Sequence, residues 1–276
     1  MHLVKIACER PDMLGRSLSQ WDGLALARQR QREGLVEHIS AETVRRILEH
    51  HKLKPWRHHT WLSPKTPRDA AFYAAVSEII DLYTRPLRKR ERVLCVDEKT
   101  SLQPRPRLHA TRPARPGRLT QVEHEYQRAG ALNLFAAFDT RTGRVYGQCY
   151  ERKRQGEFIA FLAHLDAEIP AKVKIVHIVC DNARPHHGKQ VREWLESHPR
   201  FVWHCTPVHG SWLNQVEPWC SILQRKRLRI VDVASTADLQ AKLMPFMAEW
   251  NAMAHPFNWT TKSVAKVMAD AVPVAA

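Results

Sequence analysis

Two short apolar runs in this chain each close on an aspartate. Val93-Leu94-Cys95-Val96 leads straight into Asp97, and Ile175-Val176-His177-Ile178-Val179-Cys180 leads straight into Asp181. Runs of this length, rich in β-branched residues, read as buried strands. A carboxylate just past such a run is expected at the carboxyl edge of the sheet, where open α/β sheets place their ligands. If the two strands are neighbours, the aspartates meet. Side by side they repel unless a cation lies between them, and that is the physical demand for a metal ion.

The surrounding pattern supplies the other elements. Arg92 to Asp97 is a predicted strand. Leu132 to Phe138 and Val145 to Tyr150 are a predicted hairpin joined by Asp139-Thr140-Arg141-Thr142-Gly143. Helices are expected over 157–167 and 188–197, strands over 173–180 and 201–205, and helical structure from about Leu213 onward. This order describes an α/β domain around a mixed sheet. A third acid, Glu217, stands at the start of a helix, because Pro218 is tolerable only in a first turn. That helix start can reach back over the same sheet edge. Three carboxylates without His or Cys suit Mg²⁺ or Mn²⁺ better than zinc. Two such ions ~3.5–4 Å apart would serve an in-line phosphoryl displacement. Taken alone, an aspartate closing a strand, as Asp97 or Asp181 is read to do, is an ordinary turn former.

The residues before about 65 read as helical. Trp21 to Arg32 places Trp21, Leu24 and Ala25, then Arg28 and Arg32, at helical spacings, and Gly34 interrupts them. Ser40 is a predicted N-cap for a helix from Ala41, with Val44, Ile47 and Leu48 on one apolar stripe. Thr43, Arg45 and Arg46 then face outward, the layout of a helix-turn-helix DNA reader. Charge favours that reading over a bare helical hairpin. The 276 residues hold 43 Lys and Arg against 28 Asp and Glu, a net charge of +15, which implies a polyanionic partner. Residues 52–67, with Arg57 and the pair His58-His59, read as a basic linker rather than a metal site, and 68–83 as an Ala-rich helix. Pro104 to Arg118, carrying Arg105, Arg107, Arg112 and Arg115, suits contact with phosphates. The run Arg225 to Arg229 is either a solvated face or another DNA contact. His186-His187, a turn away from Asp181, reads as packing or as a cap for the next helix, with contact to substrate as the alternative, and the tryptophans read as mostly core. The six cysteines show no C-x-x-C pair and read as small buried hydrophobes. No apolar stretch approaches membrane-spanning length and no signal peptide is visible, so the expected location is cytoplasmic.

The segments VLCVDEKTSLQ (93–103), HIVCDNARPHHG (177–188) and TPVHGSWLNQVEPWCSIL (206–223) closely resemble the three catalytic blocks of bacterial insertion-sequence transposases of the mariner superfamily. The resemblance spans about residues 20 to 270, and Glu217 lies 36 positions beyond Asp181, similar to that group's tight second spacing. It implies a ribonuclease-H-like mixed sheet flanked by helices, preceded by a small all-helical helix-turn-helix region. It also implies Mg²⁺ dependence and cut-and-paste movement of a DNA element into a TA target, by a homodimer on paired ends in the nucleoid. By matching position Asp97, Asp181 and Glu217 become the catalytic, metal-binding acids, and Asn182 and Asn214 residues that either support those acids or position DNA. The expected division is a DNA-binding region over 1–62, a linker and connecting helix over 63–90, and a catalytic domain over 91–270. Family members usually carry two helix-turn-helix units, whereas this sequence shows only what resembles the second, as if shortened at its N-terminus. Two other readings fit the same residues: a truncated remnant that binds DNA without transposing, and a nuclease of the same fold.

Overall fold

The computed structural model describes residues 1–58 and 68–258, together with Ala265 and Met268. His59, the rest of the expected linker through 67, and Trp259 lie outside the described residues. The chain divides into two units, Met1–Lys65 and Thr66–Ala276.

Among its described residues the first unit holds three α-helices, α1 (His2–Cys8), α2 (Gly23–Arg32) and α3 (Ala41–His50). Asp22 caps α2 by accepting the Ala25 N–H, so the helix starts later than its apolar spacing suggests. Trp21 therefore lies outside α2. Its ring is buried and its indole N–H donates to the Glu9 carbonyl at 2.8 Å. The buried face of α2 is Leu26 and Ala27, not Leu24 and Ala25, and Leu24 is exposed. At the far end Gly34, at φ +68°, takes the left-handed conformation that closes a helix with Gly34 N–H on Gln31 and Leu35 N–H on Arg30. Ser40 caps α3 as expected, accepting the Thr43 N–H at 3.0 Å. Val44 and Leu48 are fully buried, while Ile47 sits at the exposed rim of the stripe. Two features differ from the expectation: α1, which precedes the pair and contributes Leu3 and Ile6 to its core, and the length of the connection over 33–40.

The second unit is a five-stranded mixed sheet covered by helices on both faces. Its strands are β1 (Glu91–Leu102), β2 (Leu132–Asp139), β3 (Val145–Tyr150), β4 (Ile175–Cys180) and β5 (Phe201–Cys205), in the order β3-β2-β1-β4-β5. β1 pairs antiparallel with β2 and parallel with β4, so β1 and β4 are the expected neighbours. One face carries α4 (Ala70–Thr84), α7 (Val216–Leu223) and α8 (Thr236–Ala252), packed on Val93, Cys95 and Val179. The other carries α5 (Gln155–Glu168) and α6 (Lys189–Ser197), packed on Leu94, Val96 and Ile178. As far as Glu98, before the register shift that follows Lys99, alternation along β1 thus sends odd positions to the α4 side and even positions to the α5 side.

Polar groups are also buried in the sheet. Glu91 is held by Arg85 at 2.5 Å, which keeps its carboxyl down to about 2. Glu91 also meets His177 Nε2 at 2.7 Å; His177 Nδ1 meets His204 Nε2 at 2.8 Å; and His204 Nδ1 meets Glu78 of α4 at 2.6 Å. All six cysteines are free. Cys95, Cys180 and Cys220 are buried, Cys149 and Cys205 half-buried, and Cys8 exposed, against the expectation for that one. Among the described residues no helix is long and apolar enough to cross a membrane.

Candidate active site

Asp97 does not end its strand. β1 continues to Leu102 because β2 keeps pairing with it, and Asp97 lies opposite Ala136. The edge exists only on the other side, where parallel pairing with β4 stops at Cys95↔Val179. Two residues beyond that pair stand Asp97 and Asp181, so the register sets them across from each other, as expected from the neighbouring strands. Asp181 is the first residue after β4, and its Oδ1 accepts the Ala183 N–H at 3.0 Å. Asp97 Oδ1 accepts the Glu98 N–H at 2.7 Å.

Glu217 enters from α7. The start of that helix is tied to β1 by Asn214, which is 1% exposed and donates Nδ2–H to the Val96 carbonyl at 2.9 Å, beside Asp97. Asn214 Oδ1 also receives the Val216 N–H. Of the two roles expected for this side chain, supporting the acids or positioning DNA, the geometry fits the first. It is buried and bonded on both sides to the main chain, and so holds the start of α7 against β1. A second tie comes from Tyr83 of α4, whose hydroxyl donates to the Leu213 carbonyl at 2.8 Å, leaving the Cys95 thiol to donate to the phenol oxygen. Glu217 itself is exposed in the first turn.

The electrostatics show that the acids share one space. Burial, with the negative charges of Glu217 and Asp181 adding to it, pushes Asp97 up to about 7. Asp181 goes the other way, lowered chiefly by a hydrogen bond from His186. His186 Nδ1 lies 2.7 Å from Asp181 Oδ1, and its Nε2 lies 2.8 Å from Glu98 Oε1. Burial alone would lower His186, but these two carboxylates outweigh it and raise it to about 10. Glu98 is the neighbour of the acids that the sequence did not single out, and the contact of His186 with two carboxylates goes beyond the packing or capping expected of it. His186 does pack, against Phe158, yet both ring nitrogens face acids. The available signal was alternation, which puts Glu98 on the α5 side with Leu94 and Val96.

Among the described residues no three His, Cys, Asp or Glu side chains are gathered tightly enough to ligate one ion. The donor chemistry nevertheless fits a hard divalent cation. Three carboxylates face one edge, and Asp97, which burial above all pushes toward its neutral form, is the one a cation would ionise.

The residues expected on DNA scatter. Asn182 is exposed beside Asp181, and Arg45, Arg46 and Arg57 are exposed in the first unit. Ser40 and Thr43 share a hydroxyl–hydroxyl hydrogen bond at 2.8 Å and serve the helix cap. Between β1 and β2, Arg112 and Arg115 are exposed, in a loop held by Arg112↔Gln121 and Arg115↔Arg118 bridges. Arg105 lies over the Tyr126 ring. Arg107 is not free: its guanidinium donates to the Glu123 and Val231 carbonyls at 2.9 Å each, pinning the loop.

A mixed sheet with carboxylates brought to one edge by a parallel strand pair and a returning helix defines a ribonuclease-H-like nuclease core. Residues 92–240, more than half of the chain, match the family model described as DDE superfamily endonuclease. The chain belongs to that family. Among solved structures it is similar to a pre-cleavage Mos1 transpososome, at 16% identity and a TM-score of 0.52, covering 89% of this chain and 70% of that one. The catalytic domain of Mos1 mariner transposase matches at 16% identity and a TM-score of 0.47, covering 68% of this chain and 85% of that one. No curated protein sequence matches the chain.

Proposed function

We propose that this endonuclease is a DNA transposase of the mariner type, cutting phosphodiesters at the ends of a DNA element and joining the freed 3′-hydroxyl to target DNA. The observation that carries the reading is the register and the Asn214 tether, which bring Asp97, Asp181 and Glu217 to one sheet edge in a DDE superfamily endonuclease. The similarity in fold to a pre-cleavage transpososome supports it.

In this reading Asp97, Asp181 and Glu217 are the catalytic acids and would hold Mg²⁺ or Mn²⁺, two ions per site. Such ions, when bound, activate the attacking oxygen and stabilise the leaving one. The chain's own residues set the conditions. Asp97 is half-buried and fixed by the Glu98 N–H, Asp181 is turned by its short loop, and Glu217 stands exposed at the start of a tethered helix. Residues 1–62 would grip element ends, with Arg45, Arg46 and Arg57 on phosphates or bases. Arg112 and Arg115 would track DNA near residues 91–270, and 63–90 would connect the two. A homodimer on paired ends, acting on nucleoid DNA in the cytoplasm, follows from the same reading.

The test uses DNA carrying the element's own ends, pre-cleaved ends and a TA-containing target, with Mg²⁺. Wild type is expected to cut and join, while Asp181→Ala and Glu217→Gln bind the ends but do neither. Release of ends without joining would make the protein a nuclease, and binding without cutting a remnant. Cutting that survives either substitution would falsify the assignment of the acids.

A further inference from the structure

The turn after β4 does more than leave the sheet. From Asp181 the chain passes Asn182 and Ala183 and enters a short 3-10 turn, Arg184–His186, closed by the His186 N–H on the Ala183 carbonyl at 2.9 Å. Five residues on from Asp181, His186 is thereby folded back beneath it. The imidazole is fully buried, its ring 4.4 Å from that of Phe158 on the α5 face. Nδ1 lies 2.7 Å from Asp181 Oδ1 and 3.2 Å from the Asp181 carbonyl, and Nε2 lies 2.8 Å from Glu98 Oε1. Glu98 is itself almost wholly buried and is carried by β1, one residue past Asp97. A side chain of β1, a ring in the loop and the Asp181 carboxylate thus form one line. Asp181 Oδ1 meets both the Ala183 N–H and the ring, whereas Oδ2 takes no hydrogen bond among the described residues.

We infer that His186 is a positioning residue: anchored by Glu98, it fixes Asp181 through Oδ1, so that Oδ2 alone is presented to a divalent cation. This rests on the reading of Asp181 as a metal-binding acid. A ring that merely filled space against Phe158 would need neither nitrogen aimed at a carboxylate. Hydrogen bonds that orient a ligating carboxylate typically change metal affinity by about 10–100-fold when removed. Charge alone gives the opposite sign. A histidine between two carboxylates is held as a cation, and removing a cation beside a metal site tightens metal binding.

The experiment titrates the full chain with Mn²⁺ alone, without DNA, following free Mn²⁺ by electron paramagnetic resonance. His186→Phe keeps the packing on Phe158 and removes both polar contacts. Glu98→Leu removes only the anchor. Thermal melts of each variant report folding separately. We expect His186→Phe to weaken Mn²⁺ binding by about 10-fold or more. Glu98→Leu should weaken it several-fold, and the double variant should bind no more weakly than His186→Phe, since both act along one line. Unchanged or tighter binding by folded His186→Phe overturns the inference. If that variant does not fold, Glu98→Leu decides in the same way. Asp181→Ala separates this idea from the functional reading. If Asp181→Ala loses Mn²⁺ while His186→Phe retains it, only the positioning role fails. If Asp181→Ala binds Mn²⁺ like wild type, the metal-site reading itself fails.

Discussion

The two units of this chain bury different things. The helical unit, Met1–Lys65, packs Leu3, Ile6, Trp21, Leu26, Val44 and Leu48, and its single buried polar residue among those described is Gln29. Its helices are set by neighbours in sequence, with Asp22 on Ala25, Ser40 on Thr43, and Gly34 closing α2. The sheet unit buries several polar side chains, Glu91, His177, His186 and Asn214 among them, and each of these four meets a partner far away in sequence. Glu98 meets His186 across 88 positions, and Asn214 meets Val96 across 118. A surface that grips a polyanion needs only exposed cations on a scaffold that folds locally. Aligned carboxylates need charge inside the fold, and each buried charge requires a partner because desolvation is costly.

The sharpest way to break this contrast is to injure each unit in turn. Glu217→Gln should lower strand cutting by about 10³-fold or more, the scale on which members of a cooperating catalytic set act. It should leave affinity for element ends within about twofold, as a change confined to chemistry requires. The double substitution Arg45→Ala, Arg46→Ala should do the reverse, weakening binding and reducing its salt slope by about two phosphate contacts. Electrophoretic mobility shift and nicking assays on the same proteins decide it. Equal losses of affinity from both would show that the units do not divide the work.

A smaller effect separates stability from activity. The folded state raises Asp97 from 3.8 to about 7, so it holds a proton that the unfolded chain gives up. Folding stability is therefore lost as pH rises from about 4 through 7, and the full penalty is present above that window. Asp97→Asn removes it. The variant should melt higher than wild type at pH 8, by roughly 2–4 °C per kcal/mol relieved, and no higher at pH 4. Calorimetry at both values checks the sign, and a lower melting temperature at pH 8 contradicts the charge argument. The smallest change belongs to the helical unit. Ser40→Ala should cost about 1 kcal/mol by removing the α3 cap. Faster amide hydrogen exchange confined to that unit is the expected record.

What could be read from the sequence follows the same division. β5 and the β2–β3 hairpin emerge within a residue of their expected bounds, because apolar patterning and turn chemistry are local. The cap at Ser40 is equally local. Asp97 was misplaced as a strand end, since the length of β1 is decided by β2, some forty positions further on. The apolar face of α2 slipped because Asp22 rather than Trp21 sets where the helix begins. His186, Glu98 and the inward turn of Asn214 depend on which strands lie side by side, and no single segment encodes that. The three acids were legible because each follows a local signal, and two of their supporting residues were not.

The pair His177 and His204 shows what such burial demands. Four ring nitrogens serve the bonds to Glu91, to Glu78 and between the rings, and the two carboxylates can only accept. All of these bonds form together only when the two rings carry three protons between them. Burial lowers His177 and so favours that ring as neutral, donating to Glu91 through Nε2–H and accepting at Nδ1. Loss of the third proton would leave one nitrogen facing another lone pair. The contact between α4 and the strands that carry the acids is thus a count of protons as much as a fit of shapes, complete at one occupancy and broken by one proton more or one fewer.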